Sequence, residues 1–369
     1  MREYQICKRC IMDTSDEEIV FDEDGFCNHC NGYFTRAKSV LKHDQEGQDE
    51  LAALVQEIKA KGKNKPYDCL IGLSGGVDSS YVAYRVKELG LRPLAVHFDS
   101  GWNSELAVKN IENIVTKLGF DLYTHVCDWE EMRDLQLSYF KAGVINADVP
   151  MDHAFLVVLN RIARKNGLKY FISGHNFETE AILPVSWVFG ANDGRNVKAI
   201  QSRFGSIKLK EYPVSTLAEE LYTDYVYKLR KVRLLNYEPY DKAKSMALIE
   251  KELGWKYYGG KHYESIFTRF YQGYYLVKRF GKDKRRAHLS TLICSGQVSR
   301  EEALKIIDKP PYEDVKLLEE DKEYIPKKLG ISKEEFERIV AEPISSHFDF
   351  ANTQGIKAFL RKIKSLLPI

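Results

Sequence analysis

The chain has 369 residues, 44% hydrophobic and 29% charged, enough apolar material for two or three packed domains and too much for a disordered chain. Lys and Arg total 55 against 53 Asp and Glu, a formal net charge of +2, so the broad basic excess of a duplex-binding protein is missing. No apolar run approaches the ~20 residues that span a bilayer, and Met1 to Gln5 lack the apolar core of a signal peptide. A soluble, cytoplasmic protein is expected, with no membrane and no nucleic acid among its partners.

In chain order, chemistry begins with cysteine. Cys7-Lys8-Arg9-Cys10 and Cys27-Asn28-His29-Cys30 form a C-x2-C-x16-C-x2-C pattern. Each pair presents two thiolates to one tetrahedral ion, and four thiolates leave no open position. The expected ion is therefore structural, with Zn²⁺ the first expectation and iron open to the same ligands. His29 reads as a bystander inside the second knuckle. Cys69, Cys127 and Cys294 stand alone, which fits reduced thiols better than a disulfide framework.

The elements suggest four regions: a four-Cys module over 1–35, a helical linker over 36–66, an α/β domain over 67–235 and a mostly helical region over 236–369. A polar helix is expected over 34–61. Short apolar strands are expected at 67–73, 93–99, 121–126 and 169–173. They alternate with helices at 79–89, 104–118 and 151–165, the pattern of βαβ units and a doubly wound parallel sheet. Helices are expected over 215–235 and 241–253, and Ser299 and Ser332 open two more with N-cap signals. In such sheets ligands bind beyond the carboxyl ends of the strands, so residues just after each strand are the candidates.

The first strand runs into Ser74-Gly75-Gly76-Val77-Asp78-Ser79-Ser80. Two glycines let backbone N–H groups approach an anion, and the following helix adds its N-terminal dipole. The Gly-Lys-Ser/Thr ending of a Walker A loop is absent. The segment resembles the SGGxDS signature of the PP-loop ATP pyrophosphatase superfamily, which implies an adenine nucleotide alpha hydrolase-like sheet and ATP cleaved between its α- and β-phosphates. On that resemblance Ser74, Gly75, Gly76, Asp78, Ser79 and Ser80 bind ATP. Asp99 meets the adenosine portion at the end of strand two. Gly174, His175 and Glu180 complete the nucleotide site, with Mg²⁺ beside the phosphates.

Further segments narrow the resemblance: Cys7 to Thr14, Phe98 to Ser104, Gly259 to Ser265, and Arg285 to Ser290. With these the chain resembles the N-acetyl sugar amidotransferases of surface-polysaccharide and nonulosonic-acid biosynthesis. The implied reaction adenylates an acetamido oxygen, and ammonia then replaces it to give an acetamidino group. Asp78, Lys261 and Arg269 are the catalytic candidates. Lys278, Lys282, Lys284, Arg285 and Arg286 are candidates for holding phosphates or an anionic sugar nucleotide. The three isolated cysteines match no glutaminase signature and residue 2 is Arg, so a separate class-I glutaminase subunit is implied as the ammonia source, docking on the helical C-terminal region. The competing reading is a tRNA-modifying PP-loop enzyme of thiolation or lysidine type. Against it stand the near-neutral charge and the lack of a second cysteine pair in the core.

Overall fold

The computed structural model describes residues 3–260 and 263–366. Among these residues five strands form one parallel sheet: β1 (Cys69–Gly72), β2 (Pro93–Asp99), β3 (Asp121–Val126), β4 (Tyr170–Ser173) and β5 (Arg230–Arg233). Their spatial order is β3-β2-β1-β4-β5. The chain leaves β1 toward β2 on one side and later returns to β4 on the other, so the topology switches beside β1.

Burial explains the strand sequences. Along β1, Cys69 and Ile71 pack on one face and Leu70 on the other, each with 0% exposure. A central strand covered on both faces reads as a continuous apolar run. The edges look different: β3 is largely exposed, and β5 (Arg-Lys-Val-Arg) buries only Val232. Charged edges discourage pairing with another chain. Its charges also hide β5 from a reading based on apolar runs, and it lies where a helix over 215–235 is expected. Instead the helix Leu217–Leu221 continues as a π-helical turn over Tyr222–Tyr227. The chain then enters β5 through Lys228 in the left-handed region (φ 56°).

Helix α1 (Asn28–Val40) belongs to the cysteine module, while α2 (Gln45–Gly62), α3 (Val77–Glu88), α4 (Glu105–Leu118), α5 (Trp129–Ala142) and α6 (Val149–Lys165) flank the sheet. The single polar helix expected over 34–61 is in fact α1 and α2, divided where the Asp44 carboxylate accepts from Gly47 N and starts a new helix. One core joins α2, α3 and α4 to the sheet face bearing Ile71 and Ile172. The other joins α5 and α6 to Leu70, Val96 and Phe171. Phe267, Phe270, Tyr271 and Tyr275 drive the C-terminal region into this second core. They pack around Phe140 and Phe336, and each of the four is 0% exposed.

The cysteine module rests on the helix Lys284–Cys294 and the residues around it. Arg300 donates through Nε to Cys10 O at 3.1 Å and through Nη2 to Cys7 O at 3.0 Å. Arg286 donates to Ile11 O at 2.7 Å and pairs with Asp13 at 3.1 Å. Lys282 reaches Ser15 O. His29 hydrogen-bonds the fully buried Asp16 at 2.6 Å, and Ser186 donates to the same carboxylate. Arg300→Ala is expected to lower stability by about 2 kcal/mol, because it strands two knuckle carbonyls. It should also hasten metal loss to a chelator; melting and a timed chelator assay check both.

Candidate active site

The glycine loop is held by its own hydroxyls. Gly76 N donates to Ser74 Oγ at 3.3 Å, Ser74 N donates to Ser79 Oγ at 3.3 Å, and Ser80 Oγ donates to Gly76 O at 2.7 Å. The two glycines have different jobs. Gly75 sits at φ +80°, and a Cβ there would lie 2.6 Å from Ala107 O on α4. The Trp255 indole donates to Gly75 O at 2.8 Å, so this residue is walled in by the fold. Gly76 has an ordinary φ of −75° and lines a cavity. There an added Cβ would sit 3.4 Å from Tyr258 Oη and 3.5 Å from Glu264 Oε1.

That cavity has a volume of about 540 Å³ and lies beyond the carboxyl ends of β1, β2 and β4. From the loop it takes Ser74, Gly76, Asp78 and Ser79; from the end of β4 it takes Gly174, His175 and Glu180. His175 Nδ1 meets the Glu180 carboxylate, and the Tyr240 hydroxyl donates to Asp78. Burial and the Asp78 charge hold the Tyr240 phenol far above its ordinary range, so it serves as a fixed donor.

Several expected site residues are engaged with the protein itself. Gly174 makes room for protein: a Cβ there would lie 2.9 Å from Asp78 C and 3.0 Å from Ser79 N. The first turn of α3 therefore presses against the end of β4. Ser80 is fully buried, and neither it nor Gly75 lines the cavity. The Asp99 carboxylate turns back to accept from Gly101 N at 2.9 Å and Asn103 Nδ2 at 3.0 Å, shaping the loop after β2. Arg269 is not brought to the cavity. Its guanidinium forks onto Asp321 at 2.7 and 2.8 Å, and Tyr312 donates to the same carboxylate. Lys282, Arg285 and Arg286 are committed to the cysteine module and to neighbouring carbonyls, and Lys278 is exposed away from the cavity. Of that basic cluster only Lys284 lines it. Lys261 lies outside the described residues.

Other groups enter that the strand-end pattern did not single out. His97 is 7% exposed; its Nδ1 faces Leu73 O at 2.9 Å and its Nε2 faces Asn103 Nδ2 at 3.3 Å. A carbonyl can only accept, so Nδ1 carries the proton, and burial holds the ring's pKa down and the imidazole neutral. Lys242 also lines the cavity. Asp148, Asp152, Thr268 and Gln272 line it from α6 and the C-terminal segment. Burial first, and then the Asp152 charge, push the Asp148 carboxyl up to about 7, with Lys284 pulling the other way. Burial lowers the Lys284 ammonium.

The same C-terminal segment clasps the loop after β2. Ser104 N donates to Glu264 O and Ile266 N to Trp102 O, both at 2.9 Å, and Asn103 bridges Ser265. Residues 264–364 match the family model described as LPS biosynthesis protein WbpG-like, C-terminal domain. Over those residues the chain is similar to that domain. A curated tRNA(Ile)-lysidine synthase from Chlamydia pneumoniae is 39% identical over 71 residues, which covers 18% of this chain and only 22% of that enzyme. Among solved structures, the NMN synthetase from Francisella tularensis is similar at 14% identity and TM-score 0.29, covering 62% of this chain and 92% of that one. The NH3-dependent NAD synthetase from Campylobacter jejuni is similar at 15% identity and TM-score 0.33, covering 77% and 94%. The U34-tRNA thiolase NcsA from Methanococcus maripaludis, which carries a 4Fe-4S cluster, is similar at 12% identity and TM-score 0.31, covering 94% and 91%. Superpositions this loose decide nothing about activity.

The four thiols meet the requirements of a closed metal site. All four Sγ atoms lie within 4.8 Å of one another, with Cys7–Cys30 at 3.8 Å and Cys10–Cys27 at 3.5 Å. A tetrahedron with Zn–S bonds of about 2.3 Å has edges of about 3.8 Å. Cys7 Sγ accepts from three backbone N–H groups, and Arg9 Nη1 points at Cys30 Sγ at 3.7 Å, which offsets thiolate charge. Elemental analysis of native protein is expected to find one zinc per chain, and Cys27→Ser to lose it with several kcal/mol of stability. At the loop, Gly76→Val is expected to weaken ATP binding at least ~100-fold with little change in melting, since its methyls enter the cavity. Gly75→Ala should instead cost ~2–3 kcal/mol of stability, because its strain falls on the backbone. Calorimetric titration and melting separate the two.

Proposed function

We propose that this protein is an ATP-dependent, AMP-forming amidotransferase that converts an acetamido group of a sugar, as a nucleotide conjugate or free acid sugar, into an acetamidino group. One observation carries the reading. The SGGVDS loop and the WbpG-like segment wall the same cavity, so a nucleotide on the loop would meet a second substrate held by residues 264–284.

The chemistry needs both. An amide oxygen is a poor leaving group, so it first attacks the α-phosphorus of ATP, forming an imidoyl adenylate as the amide gives up its N–H proton and pyrophosphate departs. Ammonia then adds to the imidoyl carbon. The C–O bond breaks, AMP leaves with the former amide oxygen, and all three hydrogens of NH3 stay on the amidinium product. Loop N–H groups and the N-terminus of α3 supply fixed positive potential where pyrophosphate charge develops. Lys242 adds a cation to the same cavity. Asp78 and Glu180 are the carboxylates that would hold Mg²⁺, which when bound neutralises phosphate charge. Tyr240 fixes Asp78 and His175 fixes Glu180 for that task. His97 stays neutral and ties the end of β1 to the loop after β2. Ammonia is supplied by a separate glutaminase subunit.

The test is an assay of purified protein with ATP, Mg²⁺, an ammonium salt and a panel of acetamido sugars, with tRNA as a further arm. AMP, pyrophosphate and a product in which NH has replaced O are expected with a sugar, and glutamine alone should not replace the ammonium salt. Turnover with tRNA and with no sugar would overturn the reading.

A further inference from the structure

One part of the cavity wall carries charges that the glycine loop does not use. Asp148 opens α6 at 7% exposure, and the Thr268 hydroxyl donates to its Oδ1 at 3.3 Å while Oδ2 takes no hydrogen bond among the described residues. Asp152, one turn further along α6, shows a second carboxylate to the same space. Lys284, the first residue of its helix, is 8% exposed and lines the cavity. Its ammonium lies 5.1 Å from the centre of the Tyr271 ring and has no ion-pair partner within 4.0 Å among the described residues. Holding the buried Asp148 and Lys284 charges near one another but out of contact costs free energy unless something polar enters between them.

We propose that Asp148 takes the surplus proton from ammonium inside this cavity. The inference rests on the amidotransferase reading and adds its second half. Ammonium is no nucleophile, because its fourth proton occupies the lone pair. Transfer of that proton to Asp148 Oδ2 breaks one N–H bond, forms one O–H bond, and leaves NH3 beside a neutral acid. The freed pair attacks the imidoyl carbon, and the C–O electron pair leaves with AMP. Asp148 returns its proton to water between turnovers.

The neighbours tune this exchange toward neutral pH. Burial, Asp152 and Glu264 favour the protonated acid, and Lys284 and the Thr268 hydroxyl favour the carboxylate. Tyr271, also packed here, is held neutral by burial.

The experiment compares wild type, Asp148→Asn and Lys284→Met, with ammonium chloride as nitrogen source. Amidine formation is followed over pH, and the first half-reaction is followed as sugar-dependent exchange of labelled pyrophosphate into ATP without ammonium. For Asp148→Asn the ratio of amidine formation to exchange is expected to fall ~10²-fold at neutral pH. That loss should shrink at alkaline pH, where bulk solution supplies NH3. For Lys284→Met the acid limb of kcat/KM for ammonium is expected to move to higher pH, since the cation favouring ionised Asp148 is gone. Equal loss in both half-reactions, or an unmoved acid limb, overturns the inference; if Asp148→Asn fails to fold, the Lys284→Met profile decides alone. A wild type that shows no exchange with any acetamido sugar instead sinks the amidotransferase reading, and this inference with it.

Discussion

The clasp between the loop after β2 and the segment at Glu264–Ile266 is the contact on which the rest depends. Two backbone hydrogen bonds of 2.9 Å and the Asn103–Ser265 bridge hold the C-terminal region against the sheet. With the clasp, one cavity has the glycine loop on one wall and carboxylate, amide and ammonium groups on another. The clasp also sets what Asp99 does. By accepting from Gly101 and Asn103, it fixes the loop that receives the clasp.

Arginine distribution shows how the cysteine module joins this architecture. Arg286 and Arg300 each satisfy backbone carbonyls of the module, and Lys282 does the same at Ser15. Such cations stabilise an interface by completing hydrogen bonds that burial would otherwise leave unmade. The helix they flank, Lys284–Cys294, places its first residue in the cavity. The four-Cys cluster near the N-terminus and the cavity wall therefore share one helix, a mechanical link that runs through packing.

Much of this was legible in the sequence, for reasons that differ by element. Apolar runs located β1, β2, β3 and β4, because strands in a parallel sheet or beside one announce themselves by composition. The Cys7–Cys10 and Cys27–Cys30 spacing located the sulfur cluster, because a knuckle is a local structure. β5 was missed, since Arg-Lys-Val-Arg carries an edge strand's charges and only one buried side chain. Arg269 and the cluster at 282–286 illustrate a different limit. A cation in a motif looks the same whether it meets phosphate, Asp321 or a backbone carbonyl, and only tertiary contacts distinguish these. Asp148 and Asp152 carried a weaker signal, two acids one helical turn apart at the start of an apolar helix. That the WbpG-like segment would close over them was not readable from their neighbours in the chain.

The central claim is that the acetamido oxygen attacks ATP in this cavity and leaves on AMP. The direct measurement is turnover of an acetamido sugar carrying ¹⁸O in the acetamido carbonyl, with mass spectrometry of every product. The label is expected on the phosphate of AMP and absent from pyrophosphate and from the amidine. Label in pyrophosphate would mean attack at the β-phosphorus. Unlabelled AMP alongside a genuine amidine product would mean that nitrogen replaces oxygen without adenylation, and would contradict the account.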